Sequence, residues 1–330
     1  MSSSQRGAIR RKPARRCALL VGLIATTSSL TAFAQVFDAG RARFSVSING
    51  DFHIPYRTFT IFVVPGEDVS IATAPDVSIE ADAGVLAVDA AGRWHWRAPA
   101  SPGIATLEFA RAQHLIHLNA LVMHPAEQAA SGSLHGYRIG QYPEPLNDEA
   151  AYAAPDGFFE LASSDDDVQL SPHFRLSQFP SKQSQGYPKF LTLREDLLLK
   201  LEMLLERVNE LGIAAPTFTV MSGFRTPMYN HAIDNVSHSQ HIFGGAADIY
   251  IDESPRDGIM DDLNGDGVLD FRDAQYLFAI AEELFSREAY ENLQGGLGVY
   301  RSTAAHGPFI HIDARGRRAR WGLIPSPGRN

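Results

Sequence analysis

Apolar and polar residues follow two different rhythms along this chain. From about Arg43 to Met123 the apolar positions alternate in short runs: FSVSI, TFTIFVV, DVSIATA, RWHWRA, ATLEFA and LIHLNALV, separated by Gly, Pro, Asp and Asn turns. Trp94 and Trp96, or Leu107 and Phe109, leave one residue between them, the period of a strand with one buried face. Runs of this kind, recurring about every ten residues, predict a small Ig-like β-sandwich over 35–125. Trp94, His95, Trp96, His114 and His117 read as strand and core positions rather than as a ligand platform, so this region is expected to bind or position, not to react.

The alternation fades over 126–169, which is rich in Ala, Pro, Gly and Asp and carries SSDDD at 163–167. It reads as a connecting segment, with Tyr137, Ile139, Tyr142, Phe158 and Phe159 apolar enough to pack on a neighbour. Beyond it the rhythm becomes helical. Leucines at 191, 193, 197, 198, 199, 201, 204 and 205 predict a helix over about 192–211 with Gly212 at its C-cap. TFTVMSGF at 217–224 predicts a core strand and FRDAQYLFAIAEELFS at 271–286 a second amphipathic helix, which makes 170–330 an α+β domain.

The first 34 residues follow the order of a secretory signal. Arg6, Arg10, Arg11, Lys12, Arg15 and Arg16 precede an apolar run from Ala18 to Leu30, and Ala32-Phe33-Ala34 is a small-x-small cleavage site. Cleavage after Ala34 and a periplasmic or secreted location are expected, with no membrane span afterwards. An uncleaved anchor is the competing reading, but Thr26, Thr27, Ser28 and Ser29 interrupt a run already short for a bilayer. Arg15-Arg16 is a loose match to a twin-arginine signal.

Export changes the composition. The only cysteine, Cys17, lies within the signal, which removes disulfides and cysteine catalysis from the mature protein. The formal charge moves from −9 to −15, because the signal holds six of the 29 basic residues and none of the 38 acidic ones. Such an acidic chain suits neither nucleic acid nor an anionic membrane.

Two segments carry candidate chemistry. In Ser239-Gln240-His241-Ile242-Phe243-Gly244-Gly245-Ala246-Ala247-Asp248 an imidazole and a carboxylate stand seven positions apart with paired glycines between, which predicts a loop turning into a strand at 247–251. His306-Gly307-Pro308-Phe309-Ile310-His311-Ile312-Asp313 is strand-like at its end, and alternation puts Phe309, His311 and Asp313 on one face. Two imidazoles and a carboxylate, with a fourth position left to water, match the open coordination of catalytic zinc.

SGFRTPMYN at 222–230, SQHIFGGAAD at 239–248 and FIHID at 309–313 resemble the three signatures of the M15 zinc peptidases. That family includes D-alanyl-D-alanine carboxypeptidases and murein endopeptidases and shares a fold with the Hedgehog signalling domain. The resemblance covers roughly residues 170–322. It implies a Hedgehog/DD-peptidase-like domain in which His241, Asp248 and His311 hold zinc, Arg225 meets a substrate carboxylate or carbonyl oxygen, and Ser239 touches substrate. Several members place an acidic residue three before the last histidine, where this chain has Pro308, which can neither take nor give a proton. His306 matches a histidine kept by some carboxypeptidases and endopeptidases of the family and is assigned the role of base; Asp313 is the other nearby carboxylate and is suited to orienting a ligand histidine.

Between these signatures, residues 262–273 read as an EF-hand calcium loop. Asp262, Asn264, Asp266, Asp270 and Asp273 supply side-chain oxygens, Val268 a backbone carbonyl, and Gly267, at position 6, the sharp turn. Asp273 stands where EF-hands usually carry Glu, as in dockerin modules, and a plain acidic turn is the alternative. A structural Ca2+ tying down an insertion over about 252–273 is expected. The sequence thus points to an exported zinc peptidase acting on peptidoglycan peptides, whose sandwich contacts the wall or a protein partner. A catalytically silent zinc and calcium module that binds peptidoglycan or protein is the runner-up. Calcium-dependent adhesion is weaker, because dockerins repeat their loop and this chain has one.

Overall fold

The computed structural model describes residues 37–50 and 52–322, so the expected signal lies outside the described residues. Among the described residues no helix is long and apolar enough to cross a membrane. The fold is mixed α+β, with more strand than helix.

Alternating residues of the first third form two sheets. One has five antiparallel strands, in spatial order Phe52–Tyr56, Arg41–Ile48, Asp68–Thr73, Trp94–Arg97 and Val85–Val88. The other has four, in the order Thr58–Val63, His114–Val122, Gly103–Arg111 and Ser78–Ala81, with Thr58–Val63 parallel to its neighbour. Val46, Ile48, Val69, Ile71 and Trp96 from the first sheet and Phe59, Ile61, Leu107, Phe109 and Leu118 from the second share one apolar core. Trp96 is fully buried and donates its indole N–H to the Ala83 carbonyl at 2.9 Å. Trp94 is partly buried against the core, while His95 points the other way, toward Asp89. Strand alternation therefore accounts for the WHWR run without any ligand.

Residues 126–169 follow the same core. Leu134, Tyr137, Ile139, Phe158 and Phe159 are buried in it, and Tyr142 packs against it. Gly157–Leu161 pairs with His124–Pro125 on one side and Lys189–Leu191 on the other, which stitches this stretch to both of its neighbours in sequence.

Helix α1 (Glu195–Glu210) buries Leu197, Leu198, Leu201, Leu204, Leu205 and Val208. It ends where Gly212 takes a left-handed φ of 87° and the Ile213 N–H returns to the Val208 carbonyl. Two ionisable side chains buried on α1 find partners: Lys200 donates to the Asp313 carbonyl at 2.6 Å, and Glu202 accepts from the backbone and ring of His173. At its first turn, Glu195 accepts from the Phe62 N–H at 2.9 Å, covering the outer edge of the four-stranded sheet. Helix α2 (Pro227–Ala232) is short, and helix α3 (Phe271–Phe285) packs its apolar face behind a second five-stranded sheet. That sheet runs Thr219–Ser222, Ala246–Tyr250, Phe309–Asp313, Gly296–Tyr300, Ala319–Trp321.

Burial pushes the Glu195 carboxyl from its ordinary 4.5 up to about 7, against the Phe62 hydrogen bond that favours the charged form. A carboxyl raised on folding favours the folded state while protonated, and that contribution is lost as pH rises through about 7. Glu195→Gln keeps an oxygen for Phe62 and never ionises. It should therefore exceed the wild type in urea-unfolding stability at pH 8, by on the order of 1 kcal/mol, with the gap closing by pH 5.

Candidate metal centre

Three segments, far apart in sequence, are brought together by glycines and by sheet register. After the strand Thr219–Ser222 the chain turns through Gly223, where a Cβ would meet the Phe179 carbonyl at 2.7 Å, and Thr226 caps helix α2 by accepting from the Tyr229 N–H. The Gly223 carbonyl is left facing His241, and the Arg225 N–H donates to the His241 carbonyl at 3.1 Å. His241 sits on a 3-10 turn, Gln240–Phe243, that Gly244 ends with a φ of 67°. A side chain at Gly244 would stand 2.6 Å from the Thr192 carbonyl, so this reversal requires glycine. It feeds the strand Ala246–Tyr250, as the glycine pair predicts.

Register completes the site. Asp248 pairs with Ser222 on one side and His311 on the other, and His311 pairs in turn with Gly298, which is opposite Trp321. These five residues form one row across the sheet. Gly298 leaves room for the Trp321 indole, whose ring lies 5.1 Å from that of His311; a Cβ at 298 would come within 2.2 Å of the indole nitrogen.

His241 Nε2, His311 Nδ1 and Asp248 Oδ1 converge, 2.9 to 3.2 Å from one another. The outer nitrogens reveal the tautomers. His241 Nδ1 lies 2.7 Å from the Gly223 carbonyl, which only accepts, so Nδ1 carries the proton. His311 Nε2 faces Asp313 Oδ2 at 3.1 Å and carries its proton there. Each ring thus turns a lone pair toward Asp248 Oδ1, and three buried acceptors meet at one point. At most one added proton can lie between them, whereas a cation satisfies all three. Ligand atoms about 2.0–2.1 Å from a tetrahedral ion stand about 3.3 Å apart, close to the spacing observed. The triad is therefore a site that could hold a metal ion.

The surrounding charges hold this arrangement. Arg225 donates to Asp248 Oδ2 at 2.5 Å and to Ser222 Oγ at 2.7 Å. Burial works against ionisation of Asp248, yet the two imidazoles keep its carboxyl well below the usual range. Burial lowers His241, while for His311 it is outweighed by the hydrogen bonds to Asp248 and Asp313, which raise it. Asp313 is fully buried and accepts from the Gly296 N–H and from Arg315. Desolvation opposes its charge, but His311 and Arg315 hold its carboxyl low.

The triad forms the floor of a cleft of about 570 Å³ that also exposes Arg225, Ser239, Arg315, His306, Tyr300 and Trp321. His306 stands edge-on to Phe309 and donates Nδ1–H to the Gly307 carbonyl at 2.8 Å, which leaves Nε2 as an acceptor. Ser239 is buried at the start of the 3-10 turn. Gly298, Arg315 and Trp321 went unnoticed in the sequence. The Gly296-x-Gly298 spacing, two bare positions on one strand face, was the available signal of a close approach.

The loop 262–273 lies apart from the triad. Asp262 accepts from Gly265 and Gly267, Asn264 from Asp266, Asp266 from Val268, and Asp273 from Leu263, Asn264 and Asp270. Asp270 caps α3 through the Arg272 N–H. Its carboxylates are not among the clusters of three metal-ligating side chains that the described residues bring together. The preceding stretch places Ile259 beside Gly307, the neighbour in sequence of the cleft residue His306.

The chain matches no family model, no curated protein and no solved structure.

His241→Ala and His311→Ala should each remove tightly bound divalent metal, as measured by elemental analysis of the dialysed protein, while the strand-rich circular dichroism of the amino-terminal sheets persists. Gly298→Ala should displace Trp321 from His311 and shift the tryptophan emission, with metal affinity falling about 10- to 100-fold as expected when an outer support is lost.

Proposed function

We propose that this protein is an exported zinc-dependent peptidase that hydrolyses peptide bonds in peptidoglycan stem peptides or cross-links, as a carboxypeptidase or an endopeptidase. The observation that carries this reading is the convergence of two imidazole lone pairs and one carboxylate oxygen on the floor of an open cleft. Two nitrogens and one oxygen form a donor set suited to zinc, and three protein ligands leave a position open, as in catalytic sites. On this reading the carboxy-terminal sheet and helices belong to a Hedgehog/DD-peptidase-like domain, and the paired amino-terminal sheets to an Ig-like sandwich that contacts the wall or a partner. The basic, apolar and small-x-small order of residues 1–34 supports export.

His241, Asp248 and His311 would hold the zinc, which when bound would supply Lewis acidity to polarise a carbonyl and acidify water. The protein's own groups do the rest. Arg225, with Nε given to Ser222 and one Nη2 hydrogen to Asp248, keeps its other donors for a substrate oxygen in the cleft. His306 accepts a proton at Nε2 from the attacking water and returns it to the leaving amine, while Nδ1–H stays on Gly307. Pro308 leaves no carboxylate for this role, so the base falls to His306. Ser239 contributes a polar edge beside His241. On this reading the 262–273 loop would hold one structural calcium, steadying the insertion that carries Ile259 against Gly307, next to His306.

The same Pro308 supports the second reading, a binding module without activity, and one experiment separates the two. Zinc-loaded protein incubated with purified muropeptides and followed by mass spectrometry should release D-alanine or split cross-links, and a chelator should abolish this. His306→Ala should lower kcat about 10²- to 10⁴-fold while zinc content is unchanged. Intact muropeptides after incubation with zinc-loaded wild type would instead leave the binding module.

A further inference from the structure

Away from the cleft, the described residues bring together one other group of side chains with metal-ligand chemistry. His124 lies in the short strand His124–Pro125 and Glu160 in Gly157–Leu161. His124 pairs with Phe158, which makes Glu160 its diagonal neighbour on the same face. His135 comes from the tip of the hairpin joining Ser133–Leu134 to Tyr137–Arg138. A single oxygen, Glu160 Oε2, stands 3.2 Å from His124 Nε2 and 2.6 Å from His135 Nδ1. The two rings meet edge to face, 4.6 Å between centroids, and both abut Phe190.

Three observations set this cluster apart from a surface ion pair. His135 adopts a left-handed φ of 49° and Gly136 one of 83°, the pair of positive values at a tight hairpin tip where Asn, Asp and Gly are favoured. His is among the non-glycine residues that tolerate this backbone, and the turn brings its imidazole to Glu160. His124 Nδ1 lies 3.3 Å from Gln128 Oε1, which can accept the ring proton in the Nδ1–H tautomer that leaves Nε2 as a lone pair, the outer support typical of a ligating histidine. Nε2 and the Glu160 oxygen are then two acceptors 3.2 Å apart, an arrangement that calls for a cation or an extra proton between them. A cavity of about 230 Å³ adjoins His124 and Glu160 and has room for water ligands.

We propose that His124, His135 and Glu160 form a second divalent-metal site, for a late first-row cation such as zinc, and that the bound ion clasps the 133–138 hairpin to the small sheet. The segment that follows the clasp is hydrogen-bonded to elements of the cleft. Just past the hairpin, the Ile139 carbonyl accepts from Met228 in helix α2, and Tyr142 donates its hydroxyl to the Ile242 carbonyl beside His241. The proposal is independent of the peptidase reading.

The test is zinc stoichiometry. Metal-free protein, held in excess calcium so that the acidic loop does not compete, is titrated with zinc and its content measured after gel filtration. Wild type should bind two equivalents, and His135→Asn and Glu160→Gln one each, with the second equivalent weakened at least about tenfold. Asn suits the left-handed backbone at 135, so the loss reports the imidazole and not a disrupted turn. His241→Ala should also bind one, and because it removes only the other centre the two assignments fail independently. Two equivalents retained by His135→Asn, or a single wild-type equivalent abolished by His241→Ala, would overturn the proposal and leave a protonated histidine–carboxylate pair.

Discussion

The cross-strand register that sets Asp248 opposite His311 also puts Ser222 on one flank and Gly298 on the other, and the whole cleft depends on this row holding its alignment. Side chains alternate with a period of two, so a slip of one residue between these two strands would put Asp248 and His311 on opposite faces. The row also fixes its accessories. Ser222 anchors Arg225, which steadies the second oxygen of Asp248, and the bare Gly298 admits Trp321 over His311. His241 is the exception, since it stands on no strand of this sheet. It is brought in by the Gly223 carbonyl and by the left-handed turn at Gly244.

Pointing two lone pairs and a carboxylate oxygen at one buried spot is unfavourable without a cation, and the protein offsets that cost from outside. Hydrogen bonds to charged groups contribute about 1.5–3 kcal/mol each, and the row has several: Arg225 on Asp248, the His311 ring on Asp313, and Arg315 and the Gly296 N–H on Asp313. Behind Asp313, the buried ammonium of Lys200 grips its carbonyl and ties the sheet to α1. Helix α1 in turn reaches the amino-terminal sheets through Glu195 on Phe62 and Glu206 on Arg41. The site's rigidity is therefore traceable, contact by contact, to a core that runs without a break from the amino-terminal sheets to the cleft.

What the sequence disclosed followed the strength of local pattern. Helix α3 begins at Phe271 as expected, and α1 starts three residues later than the leucine pattern suggested, because Leu191 and Leu193 belong to a strand and its exit. Six amino-terminal strands were legible, whereas Phe52–Tyr56, Ser78–Ala81 and Val85–Val88 were not, and all three lie at sheet edges. An edge strand pairs on one side only and needs little apolar alternation, which also explains how Pro55 is tolerated and why Val85 and Val88 stand exposed. In the site, His241, Asp248 and His311 could be found because their spacing carries chemistry. Arg315 and Trp321 could not, since their roles arise only from register across strands far apart in sequence. The same holds for His124, His135 and Glu160, which share no local motif.

With a divalent cation bound at the triad, charge inside the cleft would run opposite to charge on the whole chain. The protein carries a formal −9, so its overall field favours cations. In the cleft, however, Asp248 is already matched by Arg225 and Asp313 by Arg315. A divalent cation at the triad would leave two positive charges without a partner, in a pocket whose walls are largely buried. On the peptidase reading that surplus has a use, because a peptide carbonyl under attack gains negative charge on its oxygen, and positive charge fixed in advance stabilises it without reorganisation. The arginines thus act chiefly by neutralising the carboxylates that shape the site, which keeps the full charge of the cation available to the substrate.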